Sequence, residues 1–96
     1  MLRQRPSPLP VPEAARLFHL RSDPTRLRML QALVGRGEMT AADLGEAAGR
    51  SRSAVSINLG LLRRAGVVES RREGRWAYYR LSSPFVAALV RALQPG

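Results

Sequence analysis

The sequence predicts a mainly α-helical domain with one small β-hairpin, in the order α-α-α-α-β-β-α. Apolar residues recur at helical spacing in five segments that glycine or proline separates. Only residues 67–81 combine β-branched and aromatic residues with a glycine-centred turn, which is typical of a hairpin. A chain of 96 residues allows one domain. We expect residues 1–10 to form a flexible arm and residues 11–96 to form that domain.

Two predicted helices come first. Residues 11–20 form a short helix with proline in its first turn. The next begins after Asp23, a helix-capping residue followed by proline, and runs over residues 24–34 until Gly35 and Gly37 end it. Its apolar residues cover a wide arc, which predicts a central, buried helix: Leu27, Met29, Leu30, Leu33 and Val34.

A pair of helices joined by a tight turn follows. Thr40 and Asp43 have capping-box spacing, Gly49 ends the first helix, and Ser51 caps the second, which covers residues 52–65. In the first helix we expect Leu44, Ala47 and Ala48 to face inward. On a helical wheel of the second helix, the inward stripe is Val55, Leu59, Leu62 and Gly66, and the outward side is Ser53, Ile57, Gly60 and Arg64.

The hairpin is predicted with its first strand over residues 67–70, a turn over 71–75 that contains Gly74, and its second strand over 76–81. Alternation puts Trp76 and Tyr78 on one face, which we expect to join the core rather than to stack on bases. A last helix covers residues 84–93. Its apolar arc is wider than one small domain needs, so we expect it to pair with a second copy through Phe85, Val86, Leu89, Val90 and Leu93, together with Leu17 and Phe18 of the first helix.

The charge favours a polyanionic partner. The net charge is +9, and all sixteen basic residues are arginine. Residues 50–96 hold nine arginines against two acids, whereas residues 1–49 hold seven against five. This asymmetry favours nucleic acid over a merely solvated surface.

Several classes of function are disfavoured. There is no cysteine, which removes disulfides and thiolate metal sites. The sole histidine, His19, lies in a different segment from the acids that could assist it, so we expect neither an enzyme nor a strong metal site. No membrane span or secretory signal is evident, and we expect a cytoplasmic protein.

A helix-turn-helix followed directly by an arginine-bearing hairpin is the order of a winged helix-turn-helix, whose second helix enters the DNA major groove. The residues expected to contact double-stranded DNA are Thr40, Ser51, Arg52, Ser53, Ser56, Ile57, Asn58 and Arg63 in the helix pair and Arg71, Arg72 and Arg75 in the hairpin. Ile57 has three alternatives: a thymine methyl contact, a tolerated surface position, or a protein contact. Asn58 either pairs with adenine or packs against the neighbouring helix. Gly60 either permits close phosphate approach or has no role.

Residues 22–33 (SDPTRLRMLQAL) and 37–81, with their S-x-S-x-V-S-x-x-L and G-R-W-x-Y-Y-R-L stretches, closely resemble the ArsR–SmtB family of winged-helix repressors. The resemblance implies a homodimer that pairs through its first and last helices. It also implies binding to a palindromic operator and repression that an inducer relieves.

The resemblance also locates the family's inducer sites, and this sequence departs from them. The family's thiol stretch reads EMTAADL here, with Thr40 and Ala42 where the cysteines would stand. The last helix has no His, Asp or Glu for a zinc site. We therefore expect no metal and no cofactor, and any inducer is unidentified. The rival interpretation is a winged-helix protein-interaction module without sequence-specific DNA binding.

Overall fold

The computed structural model describes residues 24–93. Numbered within that range, the elements are α1 (Pro24–Arg36), α2 (Ala41–Ala48), α3 (Arg52–Arg64), β1 (Val68–Glu73), β2 (Trp76–Leu81) and α4 (Pro84–Leu93). Their order and the antiparallel β1–β2 pairing confirm the predicted winged helix-turn-helix. The predicted arm (1–10) and first helix (11–20), with Leu17, Phe18 and His19, lie outside the described residues.

The predicted helix caps of the helix-turn-helix are present. The backbone N–H of Asp43 donates to Oγ1 of Thr40, and the backbone N–H of Thr40 donates to Oδ2 of Asp43, both at 3.2 Å. Gly49 ends α2 in the left-handed conformation, with φ of +67°. Ser51 Oγ accepts from the backbone N–H of Ala54 at 3.2 Å, which fixes the start of α3.

The end of α1 differs from the prediction. Gly35 lies inside the helix, which continues to Arg36 and ends at Gly37, where φ is +86°. The backbone N–H of Gly37 donates to the carbonyl of Leu33 at 2.8 Å. One glycine costs a helix only about 1 kcal/mol, so the helical residues on both sides of Gly35 are sufficient to keep it in α1.

One apolar core lies between α1, α4, the helix pair and the base of the hairpin. Its fully buried side chains include Met29, Leu30, Leu33, Met39, Leu44, Val55, Leu62, Val67, Val86 and Val90. Met39 also pairs with β2: its backbone N–H donates to the Tyr79 carbonyl at 3.0 Å, and the Tyr79 N–H donates back at 2.8 Å. Ala47, expected inward, is exposed, whereas Ala48 is buried.

The hairpin turn is shorter than predicted. Strand β1 continues through Arg71 and Arg72 to Glu73, and only Gly74 and Arg75 form the turn. Gly74 has φ of +61°, as the first central position of a two-residue type II′ turn requires. The predicted turn is therefore wrong for Arg71, Arg72 and Glu73, which pair with β2 and alternate between the two faces of the hairpin.

The predicted core position of Trp76 and Tyr78 is wrong. They do share a face, but it is the outer one: Trp76 is 55% exposed, and Tyr78 is half-buried under an arginine. The inner face carries Val68, Tyr79 and Leu81, which contact the core. Since side chains alternate with a period of two, the sequence pairs residues on a face without saying which face is buried.

Helix α4 has the predicted bounds, but two of its predicted interface residues are corrected. Val86 and Val90 are completely buried within the subunit, where they contact its own core. Phe85 is 37% exposed, and Leu89 and Leu93 are half-buried. Among the described helices, none is long and apolar enough to span a bilayer.

Candidate nucleic-acid interface

Helix α3 is held against the body by its inward stripe and by a close backbone contact. Val55, Leu59 and Leu62 are at most 3% exposed, as predicted. Gly45 of α2 is also buried, and a Cβ atom there would lie 3.0 Å from the Arg50 carbonyl oxygen. The Arg50 N–H in turn donates to the Gly45 carbonyl at 2.9 Å. The turn between the two helices therefore has a fixed geometry, which sets the direction in which α3 projects.

The N-terminal half of α3 presents a polar surface with one large apolar side chain. Arg52, Ser53, Ser56 and Ile57 are all exposed and together line a shallow, open concavity of about 530 Å³. Helix α3 contains arginines at 52, 63 and 64 and no acid. The free backbone N–H groups at its start and its uncompensated arginines favour an anionic partner.

Asn58 is directed away from this surface. Nε of Arg26 donates to its Oδ1 at 2.6 Å, and its Nδ2 donates to the Ala54 carbonyl at 2.9 Å. The structure thus supports the alternative in which Asn58 packs against α1. Nε of Arg50 donates to the buried Thr25 hydroxyl at 2.9 Å, so the start of α1 is bonded to the helix pair at two points.

In the hairpin, Arg71 lies within β1, opposite Tyr78, and not in the turn where it was predicted. Its Nη2 and Nε donate to the two carboxylate oxygens of Glu38 at 2.8 and 2.9 Å, and its Nη1 donates to Glu73 at 3.0 Å. Its guanidinium lies 4.8 Å from the centre of the Tyr78 ring. This pairing fastens β1 to the link that precedes α2.

The charge-assisted hydrogen bond from Arg71 favours the ionised form of Glu38 and holds the pKa of that carboxyl below its ordinary value of 4.5. At the base of the ribbon, Arg80 pairs with Glu69 at 2.8 Å. Two of the four hairpin arginines are therefore neutralised within the protein.

The remaining predicted arginines are available. In the part of the chain that the structure describes, no ion pair involves Arg52, Arg63, Arg72 or Arg75, and all four are exposed. Arg72 follows Arg71 in β1, so its side chain lies on the opposite face of the hairpin from that of Arg71. Arg75 lies in the turn. Exposed basic groups therefore remain both on α3 and near the hairpin tip.

Thr40 has a structural task that limits its predicted role. It is half-buried, and its hydroxyl oxygen accepts the capping bond of α2. The backbone N–H of Thr40 donates to the Asp43 carboxylate, and this bond, together with the Thr40 side chain, lowers the pKa of Asp43 below its ordinary value of 3.8. Within residues 24–93, no group of three potential metal ligands comes together.

Sequence reasoning did not find four residues that shape this surface: Arg26, Glu38, Gly45 and Arg50. Arg26 and Glu38 contact partners 32 and 33 residues away, so no local pattern identifies them. Gly45 was detectable in principle, because a glycine inside a helix close to a tight turn indicates close backbone approach.

Comparisons with known proteins agree with this architecture. A family model described as a helix-turn-helix domain matches residues 22–71. A probable mercury resistance operon repressor of Streptomyces lividans is 45% identical over 76 residues, which are 79% of this chain and 60% of that protein. The chain therefore spans less than two thirds of that relative.

Two solved structures have the same fold. The crystal structure of the transcriptional repressor BigR from Xylella fastidiosa has a TM-score of 0.75 and 38% identity, with 85% of this chain and 83% of that one covered. The homodimeric winged helix-turn-helix DNA-binding domain of a possible ArsR-family regulator from Mycobacterium bovis has a TM-score of 0.76 and 33% identity, with 88% and 77% covered.

The fold and the acid-free, capped second helix define a winged helix-turn-helix protein. Among winged helix-turn-helix proteins, its similar sequences and structures are transcriptional repressors and a possible ArsR-family regulator. The chain belongs to the ArsR family of winged helix-turn-helix transcriptional regulators.

Proposed function

We propose that the chain is a cytoplasmic, homodimeric repressor that binds a palindromic operator in double-stranded DNA. The observation that carries this proposal is the outward face of α3, where exposed arginine and serine side chains surround a capped helix N-terminus without any acid. Arginine is the commonest specific reader of guanine, and serine can bond to a base or a phosphate. Arg52, Ser53 and Ser56 would read bases, and Ser51 and Arg63 would bind phosphates.

The hairpin would add contacts that do not depend on sequence. Arg72 and Arg75 are exposed and unpaired within the described residues, so they can neutralise phosphates or enter a narrow minor groove. Arg71 would act differently, by holding the ribbon against Glu38. Thr40 caps α2 with its backbone N–H and its hydroxyl oxygen. It would therefore contact the DNA backbone only through its remaining atoms.

Dimerisation would use the part of α4 that the subunit core leaves uncovered. Phe85, Leu89 and Leu93 meet this description, whereas Val86 and Val90 support the helix from inside. We propose that these residues join Leu17 and Phe18 in a twofold interface. A twofold dimer would present two α3 helices to DNA about one helical turn apart.

The signal that releases this repressor from DNA would not be a metal bound at the family's known sites. Thr40 and Ala42 occupy the positions of the thiol ligands, and Thr40 is used as the α2 cap. We propose that the chain uses neither the thiol site nor the His and Asp site of the last helix. An inducer, if one acts, would then be of another class.

The test is selection of bound fragments from a genomic library, with molecular mass measured in solution. We expect a dyad-symmetric sequence whose half-sites lie about one turn apart, and a protein of twice the chain mass. If each subunit binds three to five phosphates, affinity will fall about 10³- to 10⁵-fold between 50 and 200 mM salt. A dimer that enriches no sequence would contradict the proposal and support the protein-interaction module.

A further inference from the structure

Ile57 is an apolar side chain on an otherwise polar DNA-facing surface. It is 66% exposed and shares its concavity with Arg52, Ser53 and Ser56. It follows buried Val55 by two residues, which is about 200° around a helix, so it points away from the core. The subunit itself therefore gains little from an isoleucine at this position.

The chemistry around Ile57 selects its partner. Helix α3 has three arginines and no acid, and Arg52 lies in the same concavity without an ion pair among the described residues. A polyanion fits such a surface better than the apolar patch of another protein does. In the major groove, the apolar feature of a base edge is the 5-methyl group of thymine.

We propose that Ile57 is a specificity-determining residue that packs against a thymine methyl group in each operator half-site. Ile57 lies one helical turn beyond Ser53 and directly after Ser56, so the thymine would neighbour the bases that the polar side chains read. The inference rests on the proposed function, because it requires that α3 lie in the major groove. It adds a base identity to one position of the half-site.

The experiment replaces thymine by deoxyuridine, which removes the methyl group and keeps every hydrogen-bonding atom of the base edge. Each thymine of the selected operator is exchanged in turn, symmetrically in both half-sites, and affinity is measured for the native protein, Ile57→Ala and Ile57→Val. At one symmetric position, we expect the native protein to lose about fourfold in affinity per methyl group, or about 15-fold for the pair.

Ile57→Ala should bind the thymine and deoxyuridine forms of that operator equally well, while Ile57→Val should keep part of the difference. Because Ile57 is exposed, both variants should unfold at the native denaturant midpoint, which checks that they fold. If every exchange affects native protein and Ile57→Ala to the same extent, the inference is wrong although the DNA-binding proposal stands. If the native protein selects no sequence at all, both are wrong.

Discussion

Helix α3 and the hairpin are both basic, but the arginines of α3 have no acidic partner among the described residues, whereas two of the hairpin arginines do. In α3, the fixing contacts are the buried apolar stripe and the side-chain hydrogen bond from Arg26 to Asn58, and the outward arginines have no acidic partner among the described residues. In the hairpin, Arg71 and Arg80 are paired with acids, while Arg72 and Arg75 are not. A count of basic residues therefore overstates what the hairpin offers to DNA.

The difference also separates two ways of fixing a DNA-binding element. Helix α3 keeps its position mainly by the burial of Val55, Leu59 and Leu62, and salt and pH change this apolar packing little. The hairpin is held near its tip by the exposed ion pairs of Arg71 with Glu38 and Glu73. Salt weakens exposed ion pairs. DNA phosphates would also compete with the two carboxylates for the Arg71 guanidinium. We expect α3 to respond to changes in packing and the hairpin to changes in charge.

The largest expected effect comes from Gly45→Ala, which disturbs the support of α3. The added Cβ would lie 3.0 Å from the Arg50 carbonyl, so the backbone of the turn must move. Gly60→Ala is the matched control in α3, since its Cβ would meet only Arg64 Nη1, at an ordinary 3.6 Å. We expect Gly60→Ala to raise the free energy of unfolding by about 1 kcal/mol.

Gly45→Ala gains the same helix propensity but should lie about 1–3 kcal/mol below Gly60→Ala because of the close contact. Denaturant unfolding of both variants checks this. Equal stabilities would show that the contact is unimportant. The DNA affinity of Gly60→Ala tests whether glycine at this position lets a phosphate approach closely. Unchanged affinity would mean that Gly60 has no such role.

The next effect distinguishes paired from unpaired arginines of the hairpin. Arg72→Ala should reduce the slope of log affinity against log salt by about 0.9 per subunit, because one phosphate contact is lost. Arg71→Ala removes the same charge from the adjacent residue but should change the slope much less, since Glu38 and Glu73 already neutralise Arg71. Affinity titrations at several salt concentrations provide the slopes. Identical slope changes would mean that DNA displaces the two acids.

The smallest effect is an acid-dependent loss of stability. The hydrogen bond from Arg71 lowers the pKa of Glu38 from its ordinary value of 4.5. Ionised Glu38 therefore contributes its full share to the free energy of unfolding above pH 4.5, and this share is lost as the pH falls through the lower pKa of the folded state. Glu38→Gln should reduce the slope of stability against pH below 4.5, with little change at neutral pH. Thermal unfolding followed from pH 7 to pH 3 tests this, and parallel curves for both proteins would contradict it.

Local signals predicted the helices well. The Thr40–Asp43 box, Gly49 and Ser51 each specify a helix end through bonds within a few residues, and these ends are where they were predicted. Helical periodicity also identified Val55, Leu59 and Leu62 as the inward residues of α3, whereas Gly66, predicted on the same stripe, lies beyond the helix and is exposed. Such features depend on neighbouring residues, which a sequence shows directly.

The errors concern contacts between distant segments. Alternation paired Trp76 with Tyr78, but the inner face is the one on which Tyr79 and Leu81 pack against a core built from distant segments. The pairing of Arg71 with Glu38 and of Asn58 with Arg26 also joins segments more than thirty residues apart, which no local pattern shows. Similarly, the apolar arc of α4 did not show that the subunit itself buries Val86 and Val90.

The most direct test of the account is the ratio of affinities for the operator and a scrambled duplex, measured for Arg52→Ala and Arg72→Ala. If α3 reads sequence and the hairpin does not, Arg52→Ala should lower this ratio by about fivefold to 150-fold per half-site. Arg72→Ala should weaken both duplexes equally and leave the ratio unchanged. An Arg52→Ala protein that keeps the native ratio would contradict the assignment of base reading to this face of α3.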